Sequence, residues 1–168
     1  EYASWKRIKT PNNPAHPFTA VDKGCPYDCG LCGNHRQEPC CVLLEVTQRC
    51  DLGCPVCFAS AGEDGAEDIN LSTITMWYER MLKAGGPFNI QLSGGEPCLR
   101  DDLPEIIRIG LDLGFSYFQV NTNGLRISED IEYLERLKLA GLGVVYLQFD
   151  GVSNEIYQSI RGRKILEQ

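Results

Sequence analysis

The sequence predicts an α/β fold of parallel strands that starts at Val42 and follows an irregular, cysteine-rich module over residues 1–41. Three observations predict it. From Val42 onward, strand-like runs alternate with segments whose apolar residues recur at helical spacing. The connections between them are short, which implies parallel strands joined by right-handed crossovers. Residues 1–41, by contrast, are rich in Pro, Asn, Cys and Gly without sustained periodicity, as expected of a segment held by metal. The expected domains are therefore residues 1–41 and 42–168.

The strands expected are Val42 to Thr47, Asn89 to Ser93, Tyr117 to Asn121 and Val144 to Phe149. Helical spacing runs over Leu71 to Ala84, Leu103 to Leu113 and Ser128 to Leu139. Asp101 or Asp102 is placed to cap the second helix, with Pro104 in its first turn and Gly114 after its end. Ser128 is the expected cap of the third, and Gly141 lies just beyond it. A fourth helical pattern begins at Asn154 and stops without an evident cap or partner strand, so both chain ends read as cut.

Composition narrows the function classes. An apolar content of 43% with 23% charged residues is ordinary for a globular protein. A net charge of −7 argues against binding a nucleic-acid backbone, which needs clustered Lys and Arg. No uninterrupted apolar run reaches membrane-spanning length. Of nine cysteines, eight lie between Cys25 and Cys57, while the α/β remainder needs no staples. That distribution fits a reduced, metal-loaded, oxygen-sensitive protein of the cytoplasm better than a secreted disulfide scaffold.

Cys50, Cys54 and Cys57 lie in the run Cys-Asp-Leu-Gly-Cys-Pro-Val-Cys, directly after the first strand. Three thiolates on one loop can hold a [4Fe-4S] cluster and leave one iron open to a small-molecule ligand. Reductive cleavage of S-adenosylmethionine requires such an open iron. Gly94-Gly95-Glu96-Pro97 closes the second strand. Its glycines allow close backbone approach to a ligand, and Glu96 can accept hydrogen bonds from an ammonium group. Alone, that tetrapeptide is an ordinary turn.

A second triplet, Cys25, Cys29 and Cys32, repeats the same spacing and is followed by His35, Cys40 and Cys41. It reads as a second iron–sulfur cluster completed by Cys40, with a structural zinc site as the alternative. His35 is either a ligand or a hydrogen-bond partner of that loop. Cys41 is expected to face inward at the start of the strand.

Together, the Cys50 triplet and the Gly-Gly-Glu-Pro strand end resemble the radical S-adenosylmethionine superfamily. The paired cysteine motifs, with Glu45 to Cys50 and Cys57-Phe58-Ala59, resemble its branch of dihydropterin methyltransferases and tetraether lipid synthases. The resemblance implies a partial (β/α)6 barrel, of which this chain supplies about four βα units. It implies that Cys50, Cys54 and Cys57 hold the catalytic cluster and that the Gly94 strand end binds the methionine amino group. It also implies a radical for methylation or carbon–carbon bond formation on an unactivated carbon of a small-molecule or lipid substrate. The reductant would be a ferredoxin or flavodoxin.

Residues at the carboxyl ends of the later strands complete the candidate set. Asn121, Asn123, Gln148 and Asp150 are candidates for the ribose or carboxylate of S-adenosylmethionine, or for substrate. The residue before the last cysteine of the triplet is often aromatic in the superfamily, yet here it is Val56. Phe58 is left as the candidate apolar wall for adenine. Cys98 is expected to be a buried structural thiol, with hydrogen-atom transfer as the alternative. Two other functions stay open from sequence: an electron-transfer protein with two ferredoxin-like clusters, or a zinc-stabilised interaction module.

Overall fold

The computed structural model describes residues 41–62 and 67–167. Within them, four strands form one wholly parallel sheet in the order β1-β2-β3-β4: β1 (Cys41–Thr47), β2 (Asn89–Gly94), β3 (Phe118–Thr122) and β4 (Val144–Leu147). Helices α1 (Leu71–Lys83), α2 (Leu103–Asp112), α3 (Leu125–Glu129), α4 (Ile131–Leu139) and α5 (Asn154–Arg161) connect or follow them, with a 3₁₀ turn at Pro97–Leu99. Sequential parallel neighbours joined by helices are what the alternating pattern dictates.

Alternation along the strands puts the core on one face of the sheet. Leu44, Val46, Ile90, Leu92, Phe118 and Val120 are buried against Ile74, Tyr78, Ile106, Ile107, Tyr133 and Leu137 of the helices. Each such side chain contributes roughly 1.5–3 kcal/mol by leaving water. Tyr78 anchors this layer. Its ring lies 4.9 Å from that of Phe115, and its hydroxyl donates to the Ile106 carbonyl at 3.3 Å. The opposite face alternates to partly exposed and polar residues, and all four residues of β4 are exposed.

Several element boundaries differ from expectation, each for a local reason. The third predicted helix is two, because Asp130 interrupts it and turns its carboxylate to the Tyr133 amide (2.9 Å) as the cap of α4. Ser128 caps nothing and instead donates to the Leu125 carbonyl at 2.7 Å. Asp102 sits at the start of α2 but makes no side-chain cap, since its carboxylate is taken by Arg100. Strand β4 ends at Leu147, two residues short of Phe149, where the chain turns outward and leaves that ring exposed. The last helix does have caps: Ser153 accepts from Ile156, and Gly162 adopts a left-handed φ of 74°. Cys41 is exposed, not inward-facing, because it shares a face with Leu43 and Glu45 rather than with Leu44.

Arg100 is the largest polar side chain inside the fold, and is 2% exposed. Its Nη1 donates to the carbonyls of Val46 and Ile69, both at 2.7 Å, while Nε and Nη2 grip Asp102 in a two-pronged pair. Tyr133 closes the network by donating to the Arg100 carbonyl at 2.8 Å. A planar fork can satisfy β1, the segment before α1 and the start of α2 at once, and an ammonium group cannot. Arg100→Lys should therefore cost about 2–3 kcal/mol of stability by leaving buried carbonyls short of donors. Urea unfolding monitored by circular dichroism would measure it, and an unchanged midpoint would deny Arg100 this role.

Candidate active site

Parallel strands bring all four carboxyl ends to one edge of the sheet, where ligand sites of α/β proteins form. The loop after β1 carries Cys50, Cys54 and Cys57. Its base is closed by backbone bonds, Cys50 N–H to the Gly62 carbonyl at 3.0 Å and Gly62 N–H to the Gln48 carbonyl at 3.2 Å. The end of β2 then crosses this base. Gly95 N–H donates to the Thr47 carbonyl at 2.9 Å, and Glu96 N–H to the Arg49 carbonyl at 2.8 Å. A Cβ on Gly94 would lie 2.2 Å from the Thr47 oxygen, and one on Gly95 would lie 2.2 Å from the Arg49 oxygen. Gly94 also has φ of +131°, a conformation L side chains rarely adopt. The glycine pair is thus fixed by contact with the backbone leading into the cysteine loop, a constraint that exists before any ligand binds.

Glu96 is 2% exposed and its carboxylate is already heavily used. Oε1 accepts from the Cys98 amide (2.9 Å) and the Thr122 hydroxyl (2.7 Å), and Oε2 accepts from the Asn123 amide (2.7 Å). Burial pushes the Glu96 carboxyl above its ordinary pKa, against the pull of the Asn123 and Cys98 amides, the Thr122 hydroxyl and the Cys98 thiol. Glu96 therefore caps the turn at Pro97–Leu99 and holds a carboxylate beside the cysteine loop.

The three thiols share one loop and are all partly accessible. Burial, and secondarily the charge of Asp51 and Glu96, pushes the Cys50 thiol up to about 11. Among the described residues no three Cys, His, Asp or Glu side chains converge on a point suited to a single metal ion. A cubane cluster differs in that each thiolate binds its own iron, so three thiols spread along one loop fit it better than a single ion. The tip of the loop is open: Val56 is 91% exposed and Phe58 is 76% exposed, so neither ring nor aliphatic wall is packed in place.

A contact missed by the sequence reading comes from the far end of the chain. Arg161, the last residue of α5, directs Nη1 at the Cys54 sulfur (3.7 Å) and Nε at Asp150 (2.6 Å), and its carbonyl accepts from Gly53 N–H at 3.1 Å. Gly162 must be glycine here, since a Cβ would lie 2.6 Å from the Gly53 oxygen. Arg163 adds a 3.3 Å bond to the Asp51 carbonyl. The sequence reading saw no cap at this helix end, and nothing local indicated the target of Arg161.

The remaining candidates divide into those that are spent and those that are available. Asn123 uses all its polar ends, giving Nδ2 to Asp51 at 2.8 Å and accepting at Oδ1 from the Leu125 amide at 3.0 Å. Asp150 is engaged by Arg161. Asn121 accepts from Gln148 at 3.1 Å and keeps its own amide group. Pro97 is buried as the first residue of its turn. Cys98 is fully buried, and burial together with the neighbouring Glu96 pushes its thiol up to about 12, which suits a packing role. Cys25, Cys29, Cys32, His35 and Cys40 lie outside the described residues.

Comparison with known proteins gives the same reading of the whole. Residues 44–168 match the model of the Radical SAM superfamily. The chain is 45% identical over 150 residues to 7,8-dihydro-6-hydroxymethylpterin dimethyltransferase of Methanocaldococcus jannaschii, covering 88% of this chain and 29% of that protein. It is 33% identical over 138 residues to a probable GTP 3',8-cyclase of Methanothermobacter thermautotrophicus, covering 79% of this chain and 42% of that protein. The chain thus spans less than half the length of these relatives. Among solved structures it resembles Streptococcus suis SuiB bound to S-adenosylmethionine, with a TM-score of 0.56 and 22% identity over 76% of this chain and 29% of that one. That likeness is one of fold. The cysteine loop, the glycine strand end that crosses it and the family match over most of its length agree: the chain belongs to the radical S-adenosylmethionine superfamily.

Proposed function

We propose that this chain is the cofactor-cleaving part of a radical enzyme, with Cys50, Cys54 and Cys57 holding a [4Fe-4S] cluster. One observation carries the reading. Glu96 N–H is bonded to the carbonyl of Arg49, the residue before Cys50, so the Glu96 carboxylate belongs to the same unit as the thiols. When bound, such a cluster delivers one electron to S-adenosylmethionine and yields methionine and a 5′-deoxyadenosyl radical for hydrogen abstraction. The chain's own residues orient the cofactor. Glu96 Oε2 receives its ammonium, and Arg161, already turned toward Cys54, receives its carboxylate. Phe58 and Asn121 are left to the adenosine portion.

Methylation or carbon–carbon bond formation at an unactivated carbon is the reaction we assign. The names of the two curated relatives point to heterocyclic substrates, whereas the lipid synthase resemblance points to an acyl chain. A ferredoxin or flavodoxin is the reductant this cluster would use, and a reducing cytoplasm is the compartment its thiols suit. We assign Cys25, Cys29, Cys32 and Cys40 to a second, closed [4Fe-4S] cluster within an N-terminal module over residues 1–41, separate from the catalytic region 42–168. The reading is tested on the anaerobically reconstituted full-length protein. S-adenosylmethionine should alter the electron paramagnetic resonance spectrum of the reduced cluster and yield 5′-deoxyadenosine. An intact cluster that responds to neither would overturn it.

Four variants probe the parts. Glu96→Gln should weaken S-adenosylmethionine binding about ten- to hundredfold, because a charge-assisted hydrogen bond contributes roughly 1.5–3 kcal/mol. It should also destabilise the fold, since the new amide NH₂ meets a donor from Thr122, Cys98 or Asn123. Thr122→Val separates the two effects: it loses stability by about 1 kcal/mol but keeps cofactor affinity. Arg161→Met should reduce affinity for S-adenosylmethionine about tenfold, yet leave affinity for its decarboxylated analogue unchanged. Equal losses for both ligands would assign Arg161 to loop support alone. Finally, replacing Cys50, Cys54 and Cys57 together by Ala should leave about four irons per chain by metal analysis. Zinc without sulfide in that variant would make the N-terminal site a structural zinc centre.

A further inference from the structure

We infer that the ion pair of Arg49 with Asp68 positions the Glu96 carboxylate against the cysteine loop, and so sets how tightly the ammonium group of S-adenosylmethionine is held. This rests on the radical-enzyme reading above, and it adds two positioning residues to that site.

Arg49 is the residue before Cys50, and it grips the turn of Glu96 twice. Its carbonyl accepts from Glu96 N–H at 2.8 Å, where the turn begins. Its Nη2 donates to the Leu99 carbonyl at 3.3 Å, where the turn ends. A guanidinium serves as such a spoke only when something aims it. Asp68, on the segment leading into α1, does so with both oxygens. Arg49 Nε donates to Oδ1 at 3.1 Å, and Nη2 pairs with Oδ2. Oδ1 also accepts from the Thr47 hydroxyl at 2.5 Å, and that hydroxyl accepts from the Arg49 backbone N–H at 3.1 Å. One ion pair thereby gathers the end of β1, the approach to α1 and the turn after β2.

The exposure of the pair says what it is for. Arg49 and Asp68 keep 38% and 26% of their side-chain surface in solvent. An ion pair this exposed adds little to global stability. Its effect is local, because it restrains the Glu96 turn relative to the loop. A ligand held at two fixed points loses affinity to any freedom between them. In the proposed site the thiols follow Arg49 directly, and the ammonium acceptor lies on the turn that Arg49 holds. Lysine is a poor substitute here, since an ammonium lacks the planar fork that spans a carboxylate and a carbonyl at once.

Equilibrium dialysis of the anaerobically reconstituted full-length protein tests the inference. The ligands are S-adenosylmethionine and its analogue lacking the amino group, and the variants are Asp68→Asn and Arg49→Lys. Both variants should keep the iron and sulfide of the parent. Both should bind S-adenosylmethionine about tenfold more weakly, yet bind the analogue as the parent does. Ile107→Val, at a buried residue of α2, controls for general loss of stability and should leave both affinities unchanged. Parent-like affinity for S-adenosylmethionine in either variant would overturn the inference. Equal losses for the two ligands would make the pair a general support of the loop, and loss of iron would make it a support of the thiols; each overturns it. A loss that Ile107→Val reproduces does the same. A parent that binds S-adenosylmethionine while the variants stay unmoved sinks this inference alone, whereas a cluster-loaded parent that does not bind it sinks the functional reading beneath.

Discussion

The close backbone contact between the end of β2 and the end of β1 is the constraint on which the site depends. Gly94 and Gly95 lie so near Thr47 and Arg49 that no side chain fits between them. The two hydrogen bonds made there do more than extend a ladder. They fix where the cysteine loop leaves the sheet, and they set Glu96 beside it. Register slips between Glu45 and Thr47 at the same place, so the strand pairing itself bends to make this crossing.

Buried charge is handled differently at the two ends of this region. Arg100 is surrounded by carbonyls and a carboxylate that use most of its donors, and it ties three elements together. Glu96 is equally deep and is met by the Cys98 and Asn123 amides and the Thr122 hydroxyl. Among the described residues, no buried side-chain nitrogen or oxygen lacks a hydrogen-bond partner. Arg100 thus ties elements of the core together, whereas Glu96 gathers the strand ends around a carboxylate.

Period and punctuation carried the fold. Strand positions were legible because apolar alternation and short connections depend on nearby residues, and β1, β2 and β3 lie within one residue of expectation at each end. The break at Asp130 was not legible, since a cap inside a helical pattern looks like any polar residue on an exposed face. The site was legible in its ligands and obscure in its scaffolding. Cysteine spacing and Gly-Gly-Glu-Pro name the thiols and the carboxylate. Thr122 and Asn123 at the end of β3 and Asp51 in the cysteine loop tie Glu96 to that loop from positions far apart in sequence, and leave no shared pattern. Arg161 was hidden for the same reason. Gly94 was noticed for approach to a ligand, while the nearest atoms it meets are those of its own chain.

The grip of α5 on the cysteine loop has a consequence for how the protein is made. Arg161 and Cys54 stand 107 residues apart in sequence, so the loop gains this support only after β2, β3 and β4 have emerged. On the ribosome, β1 and the thiols appear early and wait. During that interval Cys50, Cys54 and Cys57 are held from one side alone, accessible to whatever delivers iron and sulfide and equally to oxidants. The proposed cluster would thus meet an open loop if delivered before α5 docks, and a braced one if delivered afterwards.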